Sequence, residues 1–140
     1  MLFRSENIFI PADWDLWLRI AREFPIVYID KPLSQYRVAS NYSHRHLKQF
    51  FEESKYVIDK NMELNPSIGV REQAKIYSRL YYIYSNLIFE NGDAGAARRM
   101  LWCAIRRSPY QWEAYLLYML TYLGHSFKSV VGNRIINRLC

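Results

Sequence analysis

The chain is poor in cysteine, lacks a long apolar run and has no low-complexity segment, and each absence narrows what it can be. Its two cysteines, Cys103 within an apolar helical pattern and Cys140 at the last position, form neither a disulfide framework nor a Cys-x-x-Cys metal clip. A reducing compartment is the expected home. No stretch reaches the roughly 18 uninterrupted apolar residues of a membrane span, and "MLFRSENIF" lacks the ordered charged and apolar regions of a signal peptide. The expected location is the cytoplasm, extending to the inner face of the membrane. Acidic residues are scarce in the second half: residues 71–140 carry four Asp/Glu against ten Lys/Arg, whereas residues 1–70 carry nine of each. The whole excess of six positive charges therefore lies in the second half, mostly on Arg98, Arg99, Arg106, Arg107, Arg134 and Arg138. Such a basic end attracts anionic membranes or nucleic acid. Arg98-Arg99 and Arg106-Arg107 also fall where an amphipathic helix needs polar residues, so a solvated helix face accounts for them as well.

What is present is apolar and aromatic. Of 140 residues 51% are hydrophobic and 16% aromatic, which excludes a disordered chain and suffices for one domain, or a domain fragment with an appendage, around a real core. Pro11 is expected to begin a helix that ends before Pro25, with Trp14, Trp17, Leu18, Ala21 and Phe24 as one buried stripe. "IVYI" (26–29) and "LSQYRV" (33–38), separated by Asp30-Lys31-Pro32, read as two short strands. Helical periodicity fills the rest. Helices are expected at about 43–64, 70–91, 93–108, 111–123 and 126–138, with breaks at "NPSIG", "NGD", "SPYQ" and "GHS". The pattern thus changes near residue 42.

Within the helical part, Gly92, Ala97, Leu101, Ala104 and Pro109 have the spacing of the second helix and closing proline of a tetratricopeptide unit, with Tyr81 and Tyr84 on the preceding helix. Small Ala97 and Ala104 let two antiparallel helices approach, and Leu101 fills their seam. A second unit beginning at Trp112 and Tyr115 fades at Gly124. One and a half units are too few for the concave groove of a solenoid, so a helical hairpin packed on its neighbour is expected. The last segment, "FKSVVGNRIINRL" (127–139), reads as a basic amphipathic helix able to lie on an anionic surface. A nucleic-acid partner is not expected, because the aromatics fall on helical stripes where they cannot stack on bases and no recognised binding motif is present.

The candidate chemistry sits at "ADWDLWLRIA". Residues two apart on a helix point roughly 200° away from one another, so Asp13 and Asp15 cannot grip one ion. Asp15 lies four residues before Arg19 and is expected to be a solvated charge in an i, i+4 pair. Asp13 lies at the positive end of the helix dipole. It is either an N-terminal cap or a carboxylate aimed at whatever lies above the helix. His44 and His46 are spaced wrongly to share a metal and read as solvated first-turn residues.

The stretch "DWDLWLRIAREFPIVYIDKPLSQYRVASNYS" resembles the second half of the catalytic domain of family 2 glycosyltransferases, nucleotide-sugar-dependent enzymes of the GT-A fold. Members show a Glu-Asp pair opening a "WDLWLRxA" helix, then a strand, then "PLxxYRxH" and a downstream Ser. The match covers about residues 13–43, with a weaker echo in "LFR" at 2–4. The resemblance implies a fold that is mainly α with a small β element: a C-terminal GT-A fragment over residues 1–42, then a tetratricopeptide-like helical tail over 43–140. It also implies an inverting transfer from a nucleotide sugar to a hydroxyl acceptor, with Asp13 as catalytic base. Arg37 and Tyr36, matching the family's "YR", would bind substrate, a role that suits the guanidinium fork.

Several positions depart from the family. Ala12 replaces the Glu of the Glu-Asp pair, Ala39 stands where many members have His, and the Gly-Gly-Phe-Asp turn is compressed to "SENIFIPA". The "QxxRW" signature of processive synthases is absent. The donor-binding half, about a hundred residues ending in an Asp-x-Asp that holds a divalent cation (Mg or Mn), has no counterpart here. No cofactor is therefore expected on this chain, and the isolated chain is expected to be inactive. The expected partner is a separately encoded donor-binding half, with peripheral membrane contact through the basic C-terminal helix. The alternative is a small helical interaction module.

Overall fold

The computed structural model describes residue 8, residues 11–34 and residues 44–123. The described chain is helical: five helices and, among the described residues, no strand. It divides into two compact units, Met1–Asn65 and Pro66–Cys140.

The N-terminal unit contains α1 (Ala12–Glu23) and α2 (His44–Leu64). Pro11 caps α1 from outside the helix, where its missing N–H is no loss, and Asp13 and Asp15 place negative charge in the first turn. Phe24 turns to extended geometry, φ −130° and ψ 143°, because the ring of Pro25 disfavours a helical residue before it. The division at Asn65, rather than near residue 42, follows from α2. Its Leu47, Ser54 and Val57 are buried at helical spacing together with Ile8, Pro11 and Asp15.

Two expectations for this unit are corrected. The stripe of Trp14, Trp17, Leu18, Ala21 and Phe24 faces outward, with Trp17 59% exposed, although Trp14 meets Phe50 edge-on at 5.9 Å. Periodicity identifies a face that can be buried, not the neighbour that buries it. Here α2 takes the other side of α1, through Asp15. The second correction concerns the small β element. Residues 26–29 run without a ladder, and Val27 and Tyr28 are 80% and 83% exposed. A strand exists by pairing, whatever the propensity of its side chains. Pro25 and Pro32 remove donors on either side, and Lys31 N–H closes a tight turn onto Ile29 O at 2.9 Å. Of the second expected strand, residues 33 and 34 are not in a strand and 35–38 lie outside the described residues.

The C-terminal unit contains α3 (Val70–Glu90), α4 (Ala94–Arg107) and α5 (Trp112–Leu123). The turn between α3 and α4 is built by Gly92 at φ +91°, a conformation a Cβ would strain, and by Asp93, whose Oδ1 accepts from Ala96 N–H at 2.8 Å to cap α4. The two helices, joined by this short turn, run antiparallel, since Ser78 Oγ, in the first half of α3, donates to Ala104 O, near the end of α4, at 2.8 Å. Ala97, Leu101 and Ala104 of α4 are fully buried, as are Phe89 and Ser85 of α3. The buried side of α5 carries Ala114, Leu117 and Thr121. The expected helix at 126–138 lies outside the described residues.

Candidate functional site

The first turn of α1 holds two carboxylates in opposite situations. Asp13 is exposed, and its Oδ1 accepts the Trp14 N–H at 2.9 Å. The helix has no side-chain cap from Pro11, so Asp13 is the acidic group open to water at its positive end. Asp15, expected to be solvated, is 1% exposed. Its Oδ1 accepts from Lys60 Nζ of α2 at 2.9 Å and its Oδ2 lies 3.3 Å from Arg19 Nε. The Arg19 pair was legible from the four-residue spacing. Lys60, 45 residues away, was not, and it lies against the buried side of α1 that carries Asp15.

A buried carboxylate held by two cations is a structural joint rather than a base. Both of its oxygens are engaged by the two cations and neither faces water, so neither is open to an acceptor hydroxyl. Asp13 is open to water in the first turn of the helix, and its hydrogen bond to Trp14 N–H is local. The other candidate binding residues, Tyr36 and Arg37, lie outside the described residues, as does Ala39. His46 is exposed in the first turn of α2. Among the described residues, no three His, Cys, Asp or Glu side chains come together as a metal site. Cys103 is a partly exposed free thiol on α4.

The C-terminal unit has its own open cleft of about 340 Å³ beside Lys75, Arg79, Ser108, Tyr110, Gln111 and Glu113. Arg79 is committed on two sides, lying 5.1 Å over the Tyr82 ring and 3.8 Å from Glu113. Burial pushes the Tyr82 phenol above its ordinary range, the Arg79 charge pulls it partly back and the Glu113 charge pushes it up. Gln111 reaches beneath the cleft to Ser78 Oγ. Ser78 has one hydroxyl proton, which Ala104 O receives, so the contact is complete when the Gln111 amide presents its NH₂ to Ser78. The cleft therefore has a floor of helix-packing bonds and a wall whose charges are largely paired.

No helix of the described residues is long and apolar enough to cross a membrane. No family model matches the chain, and neither a curated protein nor a solved structure matches it.

Proposed function

We propose that this chain is the C-terminal part of a family 2 glycosyltransferase in which Asp13 is the catalytic base and the donor-binding half is supplied by another polypeptide segment. The observation that carries the reading is the run from "DWDLWLRIA" to "PLSQYRVAS" at family spacing, whose one open first-turn carboxylate is Asp13. The uncovered stripe of α1 and the exposed apolar residues of 26–33 support it as well. A GT-A sheet would use them as packing surface and strand partners.

The chemistry asked of Asp13 is a single proton transfer. Its carboxylate takes the proton of the acceptor hydroxyl as that oxygen bonds to the anomeric carbon. The bond from that carbon to the diphosphate breaks on the opposite face, the nucleoside diphosphate leaves with the electron pair, and the configuration inverts. Clamping the leaving diphosphate is usually the largest catalytic term, and it falls to the donor-binding half with its divalent cation. Arg37 and Tyr36 are assigned to substrate binding in this scheme.

The test begins with the reading frame ahead of the Met1 codon, or a pull-down, to obtain the donor-binding segment. The assembled protein is then assayed for release of nucleoside diphosphate from a panel of sugar nucleotides. Asp13→Asn is expected to lower turnover at least about 100-fold, within the range for loss of a general base. Turnover of a sugar nucleotide by the 140-residue chain alone, lost in Asp13→Asn, would overturn the division of labour proposed here. A partner unrelated to nucleotide-sugar binding, captured on the Tyr-rich helices, would instead support the interaction module, a reading favoured by the tight α3–α4 hairpin around Ala97, Leu101 and Ala104.

A further inference from the structure

We propose that the outward face of α5, with the adjoining edge of α4, is a docking surface for an anionic lipid bilayer. The surface lies wholly in the C-terminal unit and stands whether or not Asp13 is a base.

The starting observation is that α5, "WEAYLLYMLTYL", is apolar on both sides. Ala114, Leu117 and Thr121 account for its buried side. Opposite them, Trp112, Tyr115, Met119, Tyr122 and Leu123 fall on one stripe at steps of three and four, and all are exposed, Met119 by 65%. A helix whose outer side meets water ordinarily carries charge there. An apolar stripe is normally covered.

The composition of the rim indicates what covers it. Arg98 of α4 lies 4.6 Å over the Tyr122 ring and donates from Nη1 to Thr121 O at 3.2 Å, which sets this edge of α4 against the C-terminal half of α5. One and two turns further along α4 from Arg98 come Trp102 and Arg106, both exposed, and Arg99 is exposed as well. Across α4 and α5 there are four arginines and a single acid, Glu113, which faces Arg79. A face that combines exposed Trp, Tyr, Met and Leu with an arginine rim matches the chemistry of a bilayer interface. Indole and phenol rings settle at headgroup depth and guanidinium groups meet lipid phosphates.

Three other occupants fit less well. A second copy would bring the same arginines face to face. A protein ligand on α5 would meet a stripe about 17 Å long and one helix wide, well short of the roughly 800 Å² per partner that a stable interface buries. The chain's own residues 127–139 carry Lys128, Arg134 and Arg138 and no acid, so laying them on α5 would bring like charge against its arginine rim.

The experiment is co-sedimentation of the full chain with vesicles of phosphatidylcholine alone and with about 30 mol% phosphatidylglycerol added, alongside the shift in tryptophan emission. The expected result is binding to the anionic vesicles with a blue shift, weakened by salt. Met119→Glu should lower it about tenfold or more. Arg99→Glu with Arg106→Glu should lower it at least about 25-fold, since each basic residue near such a surface contributes about fivefold. Leu123→Ser is the second apolar variant, and far-UV circular dichroism identifies any variant that has unfolded. The proposal is overturned if the wild-type chain does not bind anionic vesicles. It is also overturned if Met119→Glu and Leu123→Ser, both folded, bind as wild type while Arg134→Gln with Arg138→Gln does not, which would assign the contact to residues 124–140. A dimer that Met119→Glu dissolves, without vesicle binding, would assign the face to a second copy.

Discussion

Replacing Asp15 by Asn should destabilise the N-terminal unit far more than the same change at Asp13, two residues away. Asp15 is essentially without solvent contact and meets Lys60 Nζ at 2.9 Å and Arg19 Nε at 3.3 Å. Breaking a fully buried pair by removing one partner costs about 3–5 kcal/mol, because the remaining charge is stranded. Here the stranded charges are not fully buried: the Arg19 and Lys60 side chains keep 30% and 29% of their exposure, so both can turn toward water. That discounts the loss to about 2 kcal/mol. Asp13 is exposed with one local hydrogen bond, and Asp13→Asn should stay within about 0.5 kcal/mol. The assay is urea unfolding followed by tryptophan emission with Trp102 and Trp112 replaced by Phe, so that Trp14 and Trp17 report the N-terminal unit alone. With a urea slope of about 1 kcal/mol/M for a unit this small, the Asp15 midpoint falls by about 2 M. Equal midpoints for the two variants would refute the argument, as would an Asp15 loss unchanged in a Lys60→Met background.

Other expectations concern the C-terminal unit. Leu101→Ala opens a cavity in the α3–α4 seam and should cost about 2–5 kcal/mol by denaturant melt, since Leu101 is fully buried between two helices. Gly92→Ala should cost about 1 kcal/mol even though nothing lies within 4 Å of the added Cβ, because the strain is in the positive φ and not in space. Tyr82, whose phenol is raised by burial, should make stability pH-dependent only in alkali. A raised folded value means that its contribution is complete below the ordinary tyrosine value near 10 and is lost as pH rises through the folded value. Alkaline unfolding that begins earlier in Tyr82→Phe than in wild type would contradict this.

Much of the C-terminal unit could be read from sequence because its packing is local. The break at "NGD" and the burial of Ala97, Leu101 and Ala104 both belong to one hairpin of two consecutive helices, α3 and α4, joined by a short turn. The N-terminal unit was less legible, for the opposite reason. The buried side of α1 meets Lys60, on a helix that sequence spacing cannot place, and 26–29 finds no pairing strand among the described residues. Asp13 and Asp15 were correctly separated by the 100° step of the helix. Their burial could not be ranked from that step, since hydrophobicity pointed to the tryptophan side.

That inversion poses a physical question: why α1 docks through a charge while its apolar stripe stays open. Buried ion pairs add little net stability relative to apolar packing and are best attested as devices that fix orientation. The Asp15 joint can therefore be understood as setting the rotation of α1, holding Trp17, Leu18 and Phe24 outward. Removing the joint without stranding charge, by Asp15→Leu with Arg19→Met and Lys60→Met, should leave the unit folded at near wild-type stability and free α1 to roll its tryptophan side inward. Iodide quenching of Trp17, with the other three tryptophans changed to Phe, then falls relative to the same background carrying Asp15, Arg19 and Lys60. If quenching of Trp17 is unchanged while stability is retained, the apolar contacts of α1 already fix its rotation and the ion triad has no orienting role.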